Sequence, residues 1–315
     1  MRKAETVKTV LIAGAGTMGT SMAQIFAQHG FQVILHNRRQ PSLDRAQGRI
    51  QANLAALEAG GALQEPKEQV YARLTFTTDM EAFRRTDYVV ENIAEDLSTK
   101  QDFFRRIADF VADDVVLTSN TSGLRVTDIA RAVRKPERFC GMHWWNPPHL
   151  IPLIEVTKGE ESSQEAAEIA RDMGVRAGKK PVIIQKDILG IVGNRLQFAV
   201  LREALHILEL GAADARAIDD VMKYGPGFRY PILGPLETAD LGGLDVFTSI
   251  SEYLFPDLSA AQESGLLGEH KARGEFGVKS GKGFYDYADG RGEEIIRHRD
   301  ELFLKEAKYL YGDGK

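Results

Sequence analysis

A doubly wound α/β sheet with a helical insertion, followed by an all-helical segment, is the fold that this 315-residue sequence predicts. Three observations carry the prediction. Short β-branched runs alternate with amphipathic stretches through the first half, which is the pattern of parallel strands with crossover helices. A glycine-rich turn sits between the first of these strands and the first helix. After Lys186-Asp187 the strand signals stop and helical periodicity takes over.

Taken in order, 9–12 reads as a strand, 17–28 as a helix and 32–36 as a strand. A long helical stretch over 43–59 and another over 65–73 form an insertion beside the sheet, before strand-like 74–77. Further strands are predicted at 87–91, 115–119, 138–145, 151–156 and 181–185. Ser162 with Glu165 suggests a capping box for a helix that runs to about Met173. Beyond the boundary, Leu196, Val200, Ala204 and Ile207 share one face of a helix over 194–210. Helices at 214–223 and 236–254 follow, separated by a glycine- and proline-rich stretch. The expected domains are therefore 1–187, which binds a dinucleotide, and 188–315, which is helical.

Gly14-Ala15-Gly16-Thr17-Met18-Gly19 follows a predicted strand and opens a predicted helix. In that context the glycines allow a tight turn and a close approach of backbone to a pyrophosphate at the helix N-terminus, as in a Rossmann-type domain. An acid that grips the ribose hydroxyls is expected roughly 20 residues further on. Asn37 stands there, followed by Arg38 and Arg39. A neutral amide beside guanidinium groups tolerates a 2′-phosphate, so the cofactor is NAD or NADP, with NADP slightly favoured.

Composition narrows the partners. With 40 basic against 45 acidic residues the net charge is −5, and the basic residues are scattered, so nucleic acid is not an expected partner. Nothing resembles a signal peptide or a spanning helix, and a cytoplasmic protein is expected. The one cysteine, Cys140, lies in an apolar run and reads as inert core, leaving no multi-cysteine metal site.

The stretch Gly141-Met142-His143-Trp144-Trp145-Asn146-Pro147-Pro148-His149, continued by Leu153-Ile154-Glu155-Val156, puts a histidine and a carboxylate in two apolar strands joined by a proline turn. Such strands can bring His143 against Glu155, giving an imidazole with a carboxylate behind it, which is the architecture of a general base. Trp144 and Trp145 are expected to wall the cleft or the core, and His149 to be a pocket-wall or turn residue.

With these motifs, and with Ser119-Asn120-Thr121-Ser122-Gly123, Gly193-Asn194-Arg195, Gly234-Pro235-Leu236 and Lys279-Ser280-Gly281-Lys282-Gly283-Phe284-Tyr285, the sequence resembles the L-3-hydroxyacyl-CoA dehydrogenase family over nearly its whole length. The resemblance implies that His143 is the catalytic base, Glu155 its orienting carboxylate, and Ser122 and Asn194 the substrate contacts. It implies cofactor contacts at Gly14, Gly16, Thr17, Met18, Gly19, Glu95, Lys100, Ser122, Asn146 and Lys279, and at Asn37, where the family's acid is missing, with Arg38 beside it. It implies no metal and a homodimer joined through the helical domain.

The expected activity is hydride exchange between the nicotinamide and the hydroxyl-bearing carbon of a small 3-hydroxy acid. Two departures favour a free acid over a CoA thioester. Residues 42–65 contain no lysine where CoA-using members carry a lysine-bearing insertion. The stretch Gly227-Phe228-Arg229-Tyr230-Pro231-Ile232-Leu233-Gly234 resembles that of relatives acting on free acids such as gulonate or a pyridine carboxylate, and Arg229 would clamp the substrate carboxylate. A short-chain 3-hydroxyacyl-CoA dehydrogenase is the alternative. A nucleotide sensor or structural protein without catalysis is a remote one.

Overall fold

The structure, a computed structural model, describes residues 1–312, so the end of the expected helical segment, 313–315, lies outside the described residues. By its contacts the chain divides into two compact units, Met1–Gly193 and the segment from Asn194 onward.

In the first unit β1 (Thr9–Ala13), α1 (Thr17–Gln28) and β2 (Gln32–His36) open the fold, and α2 (Gln40–Ala59), α3 (Lys67–Ala72) and β3 (Leu74–Thr77) follow. Next come β4 (Tyr88–Glu91), α4 (Leu97–Ile107), β5 (Val116–Ser119), α5 (Val126–Ala130), β6 (Phe139–Trp144), β7 (Leu153–Thr157), α6 (Gln164–Arg176) and β8 (Lys180–Ile184). The eight strands form one sheet in the order β3-β2-β1-β4-β5-β6-β7-β8. All neighbouring pairs are parallel except β6 and β7. Both faces are covered, and each has its own apolar core, which is why the strands read as continuous hydrophobic runs.

The strand order reverses between β1 and β4. Ligands of doubly wound sheets bind at this switch point, outside the carboxyl ends of the strands, and the glycine turn lies there. Gly14 is required by geometry: its φ is +116°, and a Cβ on it would stand 2.2 Å from the Asn92 carbonyl oxygen.

Two local expectations are corrected. The N-cap of α6 is Ser163, whose hydroxyl accepts from Ala166 N–H at 3.0 Å. Ser162 is unavailable because its Oγ donates to the Phe139 carbonyl and accepts from Gly159 N–H. The helix expected over 236–254 is broken at Gly243, where φ reaches +91°.

The second unit is helical. α7 (Ile191–Glu209) crosses the boundary, and α8 (Ala215–Tyr224), α9 (Pro226–Arg229), α10 (Pro235–Gly242), α11 (Leu244–Leu254), α12 (Gly265–Ala272) and α13 (Arg291–Tyr311) complete it. Beyond Leu205, Gly292 is the only buried residue among those described. Leu196, Phe198, Leu236, Leu241 and Tyr253 are all exposed. No helix among the described residues is long and apolar enough to cross a membrane.

Candidate active site

β6 and β7 run antiparallel, in a register that sets His143 directly opposite Glu155. Direct partners on one face of such a pair hold their Cβ atoms roughly 5 Å apart, close enough for an imidazole to meet a carboxylate. His143 Nδ1 lies 3.0 Å from Glu155 Oε2. The same oxygen accepts from Trp145 Nε1 at 3.1 Å, and the Trp145 ring leans against the imidazole. Glu155 Oε1 accepts from the N–H groups of Gly193, at 2.8 Å, and Val192, at 3.2 Å. This approach requires Gly193, because a Cβ there would stand 2.3 Å from the Trp145 ring. Burial alone would raise the Glu155 carboxyl. The donors from His143, Gly193 and Trp145 outweigh burial and hold it below the usual carboxylate range. The carboxylate therefore stays ionised behind the imidazole.

The carboxyl ends of β4, β5 and β6 are tied together by side-chain amides. Asn120 donates to Asn92 Oδ1 at 2.7 Å and accepts from Trp144 N–H at 2.7 Å. Below them lies a buried ionic network. Glu91 and Lys100 are 0% and 1% exposed, and the ammonium donates to Glu91 Oε1 at 2.7 Å. Glu91 also accepts from Ser119 Oγ and from Ile93 N–H. Lys100 further meets Glu95 Oε2 at 3.3 Å.

Glu95 Oε1 in turn accepts from Thr121 Oγ1 at 2.7 Å and from the N–H groups of Ser122 and Gly123, both at 2.9 Å. Burial would raise the Glu95 carboxyl, but these donors and Lys100 bring it below its ordinary value. Lys100 and Glu95, both expected at the cofactor, thus fix the turn that carries Ser122. Ser122 itself is exposed, as is Asn146.

A cavity of about 710 Å³ opens beside the glycine turn, lined among others by Gly14, Gly16, Thr17, Asn37, Arg38 and Asn92. Gly16 caps α1 without a side chain, and no protein atom outside its chain neighbours lies within 4 Å of where a Cβ would stand. That space and the unpartnered first N–H groups of the helix fit a pyrophosphate. Asn37 Nδ2 donates to the Arg39 carbonyl at 3.3 Å. The residues present fit a dinucleotide.

Residues 9–188 match the 3-hydroxyacyl-CoA dehydrogenase NAD-binding domain, and residues 190–287 match the 3-hydroxyacyl-CoA dehydrogenase C-terminal domain. The chain belongs to the 3-hydroxyacyl-CoA dehydrogenase family. It is 33% identical over 308 residues to the 5-formyl-3-hydroxy-2-methylpyridine 4-carboxylate 5-dehydrogenase of Mesorhizobium japonicum, covering 97% of this chain and 99% of that one. It is 39% identical over 278 residues to a probable 3-hydroxybutyryl-CoA dehydrogenase of Deinococcus radiodurans, covering 88% and 99%. A crystal structure of 5-formyl-3-hydroxy-2-methylpyridine 4-carboxylic acid 5-dehydrogenase, described as an NAD+-dependent dismutase, superposes with a TM-score of 0.89 at 33% identity, over 98% of this chain and 99% of that one. The (S)-3-hydroxybutyryl-CoA dehydrogenase of Ralstonia eutropha gives a TM-score of 0.76 at 31% identity, over 90% and 100%.

Three of the expected site residues belong to the second unit. Asn194 begins it, on α7. Lys279 sits in a loop whose Ser280 Oγ accepts from Phe276 N–H at 2.7 Å and whose Gly277 and Lys282 pair as a bridge. Arg229 ends α9, is exposed, and makes no side-chain hydrogen bond or ion pair among the described residues. Cys140 is fully buried, and burial pushes its thiol up to about 12, which makes it inert.

Reading the residues alone missed Trp145 as a donor to Glu155 and missed Glu91 altogether. Glu91 ends a strand of otherwise apolar residues. A lone acid at the end of a buried parallel strand is the signal that could have found it.

Proposed function

We propose that the chain is an NAD(P)-dependent dehydrogenase that interconverts a 3-hydroxy group and a ketone on a small, free 3-hydroxy carboxylic acid. The observation that carries this reading is the buried His143–Glu155 pair, carried by the same sheet as a dinucleotide-fitting turn. When bound, the nicotinamide supplies the hydride chemistry. His143 takes the proton from the substrate hydroxyl through Nε2, since Nδ1 faces Glu155. Glu155, held ionised, stabilises the imidazolium that forms. Ser122 and Asn194 orient the substrate oxygen, and Arg229 pairs with the acid's carboxylate.

Support for a free acid comes from Arg229, whose side chain has no hydrogen-bond or ion-pair partner among the described residues, and from likeness to the pyridine-carboxylate dehydrogenase, which matches more of the chain than the CoA enzymes do. The 39% identical probable 3-hydroxybutyryl-CoA dehydrogenase favours the CoA thioester as the second reading. Asn37 in place of an acid, with Arg38 on the cavity, supports use of NADP(H) at least as well as NAD(H).

The helical unit supports a homodimer. A stretch from 206 to 312 with a single buried residue, Gly292, buries too little apolar surface to offset its chain entropy by itself, and a second copy would cover its exposed leucines and aromatics.

Absorbance at the reduced-nicotinamide band, followed with a panel of 3-hydroxy acids and their CoA esters and with both cofactors, tests the reading. Turnover of a free acid well above any thioester is expected. No turnover with any of them would leave a nucleotide sensor or structural protein as the better description.

A further inference from the structure

Four arginines line the cavity beside the glycine turn: Arg38 after β2, Arg45 and Arg49 one helical turn apart on α2, and Arg106 on α4. Several arginines elsewhere on this surface are neutralised where they stand, as Arg84 is by Glu81, Arg131 by Asp128, and Arg134 by Asp109 and Asp113. The cavity four have no carboxylate within ion-pair distance among the described residues. Arg45 donates to Ser42 Oγ at 3.1 Å and Arg49 to Thr17 Oγ1 at 3.4 Å, both neutral partners. Asp102, the one carboxylate on the cavity wall, is already engaged by Arg105 at 2.6 Å. In a chain of net charge −5, a concavity that keeps four guanidinium groups without a counter-ion focuses positive potential on its occupant.

The four are not equivalent. Arg49 reaches Thr17, the first residue of α1, where unpartnered backbone N–H groups favour an anion. Arg45 lies four residues nearer the start of α2, about 6 Å along its axis, on the side where Arg38 and Arg39 lead into that helix. Two separate phosphate positions therefore have a cation each.

We propose that Arg49 binds the pyrophosphate of the dinucleotide and that Arg45, with Arg38, binds a phosphate on the adenosine ribose, so that α2 reads the phosphorylation state of the cofactor. This rests on the dinucleotide reading above and assigns to α2 a part in it. Guanidinium groups suit the task because their paired donors match phosphate oxygens.

Equilibrium binding by titration calorimetry, on the intact chain and its variants, tests the assignment with NADP+, NAD+ and adenosine 2′,5′-bisphosphate as probes. Arg45→Met should weaken NADP+ and the bisphosphate by about 10-fold or more, the loss of one charge-assisted hydrogen bond, while NAD+ changes by less than about 2-fold. Arg49→Met should weaken both dinucleotides by similar factors. Circular dichroism confirms that each variant folds. If the parent protein binds NADP+ at least as well as NAD+ but Arg45→Met leaves their ratio unchanged, the role of Arg45 is overturned and the cofactor reading stands. If the parent protein favours NAD+ by more than about 10-fold, the ribose-phosphate reading itself falls. Unchanged binding of both dinucleotides by Arg49→Met overturns the pyrophosphate contact alone.

Discussion

His143 Nδ1 stands 3.0 Å from Glu155 Oε2 across an antiparallel strand pair, and the backbone N–H groups of Val192 and Gly193 close on the other carboxylate oxygen. With Nδ1 facing the carboxylate, Nε2 is the nitrogen left for the proton transfer proposed above. Replacing His143 by Gln should lower turnover by roughly 10²- to 10⁴-fold while dinucleotide affinity stays nearly unchanged. Glu155→Gln should also be severely impaired. Steady-state rates alongside calorimetric binding check this, and near-normal turnover of the His143 variant would sink the mechanism.

The Glu91–Lys100 pair is fully buried, so removing one partner strands a charge out of reach of water. Lys100→Met and Glu91→Leu should each destabilise the fold by about 3–5 kcal/mol, whereas the two combined should cost clearly less than their sum. Urea unfolding of the three variants measures this. Single variants within 1 kcal/mol of the parent would contradict it.

Lys179 donates to the carbonyls of Pro148 and Ile151, in the loop that follows Asn146, and burial pushes its ammonium down to about 8. Between that value and the ordinary 10.5 the unfolded chain binds a proton that the folded chain does not, so this group makes stability rise with pH across the window. Below pH 8 its full cost is present. The stability of the parent relative to Lys179→Met should therefore increase by up to about 3 kcal/mol from pH 8 to pH 10.5, at most about 1.4 kcal/mol per unit. Paired denaturation curves across that range decide it, and a difference that stays flat is the opposing result.

Arg229 is exposed and makes no side-chain hydrogen bond or ion pair among the described residues, which suits the substrate clamp proposed above. Arg229→Met should raise KM for a free hydroxy acid by about 10-fold or more, because a charged hydrogen-bonded contact contributes roughly 1.5–3 kcal/mol. Kinetics with a free acid and with 3-hydroxybutyryl-CoA separate the two readings of the substrate. Should the thioester be much the better substrate and the variant process it normally, Arg229 has another purpose.

Every strand of the sheet was legible in the sequence, and so was the glycine turn, because parallel strands buried on both faces must be apolar throughout and the turn has no substitute for Gly14. His143 and Glu155 were legible as residues that two apolar strands joined through a proline-containing loop can bring together, and the tertiary structure decided the register that sets them opposite each other. The tertiary structure alone decided what surrounds them. Glu91 meets Lys100 nine residues on, Glu95 grips a turn 27 residues away, and Arg49 reaches back 32 residues to Thr17. Charge and hydrogen-bonding partners of this kind are chosen by the meeting of strand ends and helix faces in space. Periodicity fixes which face a residue occupies, and it carries no record of what stands opposite.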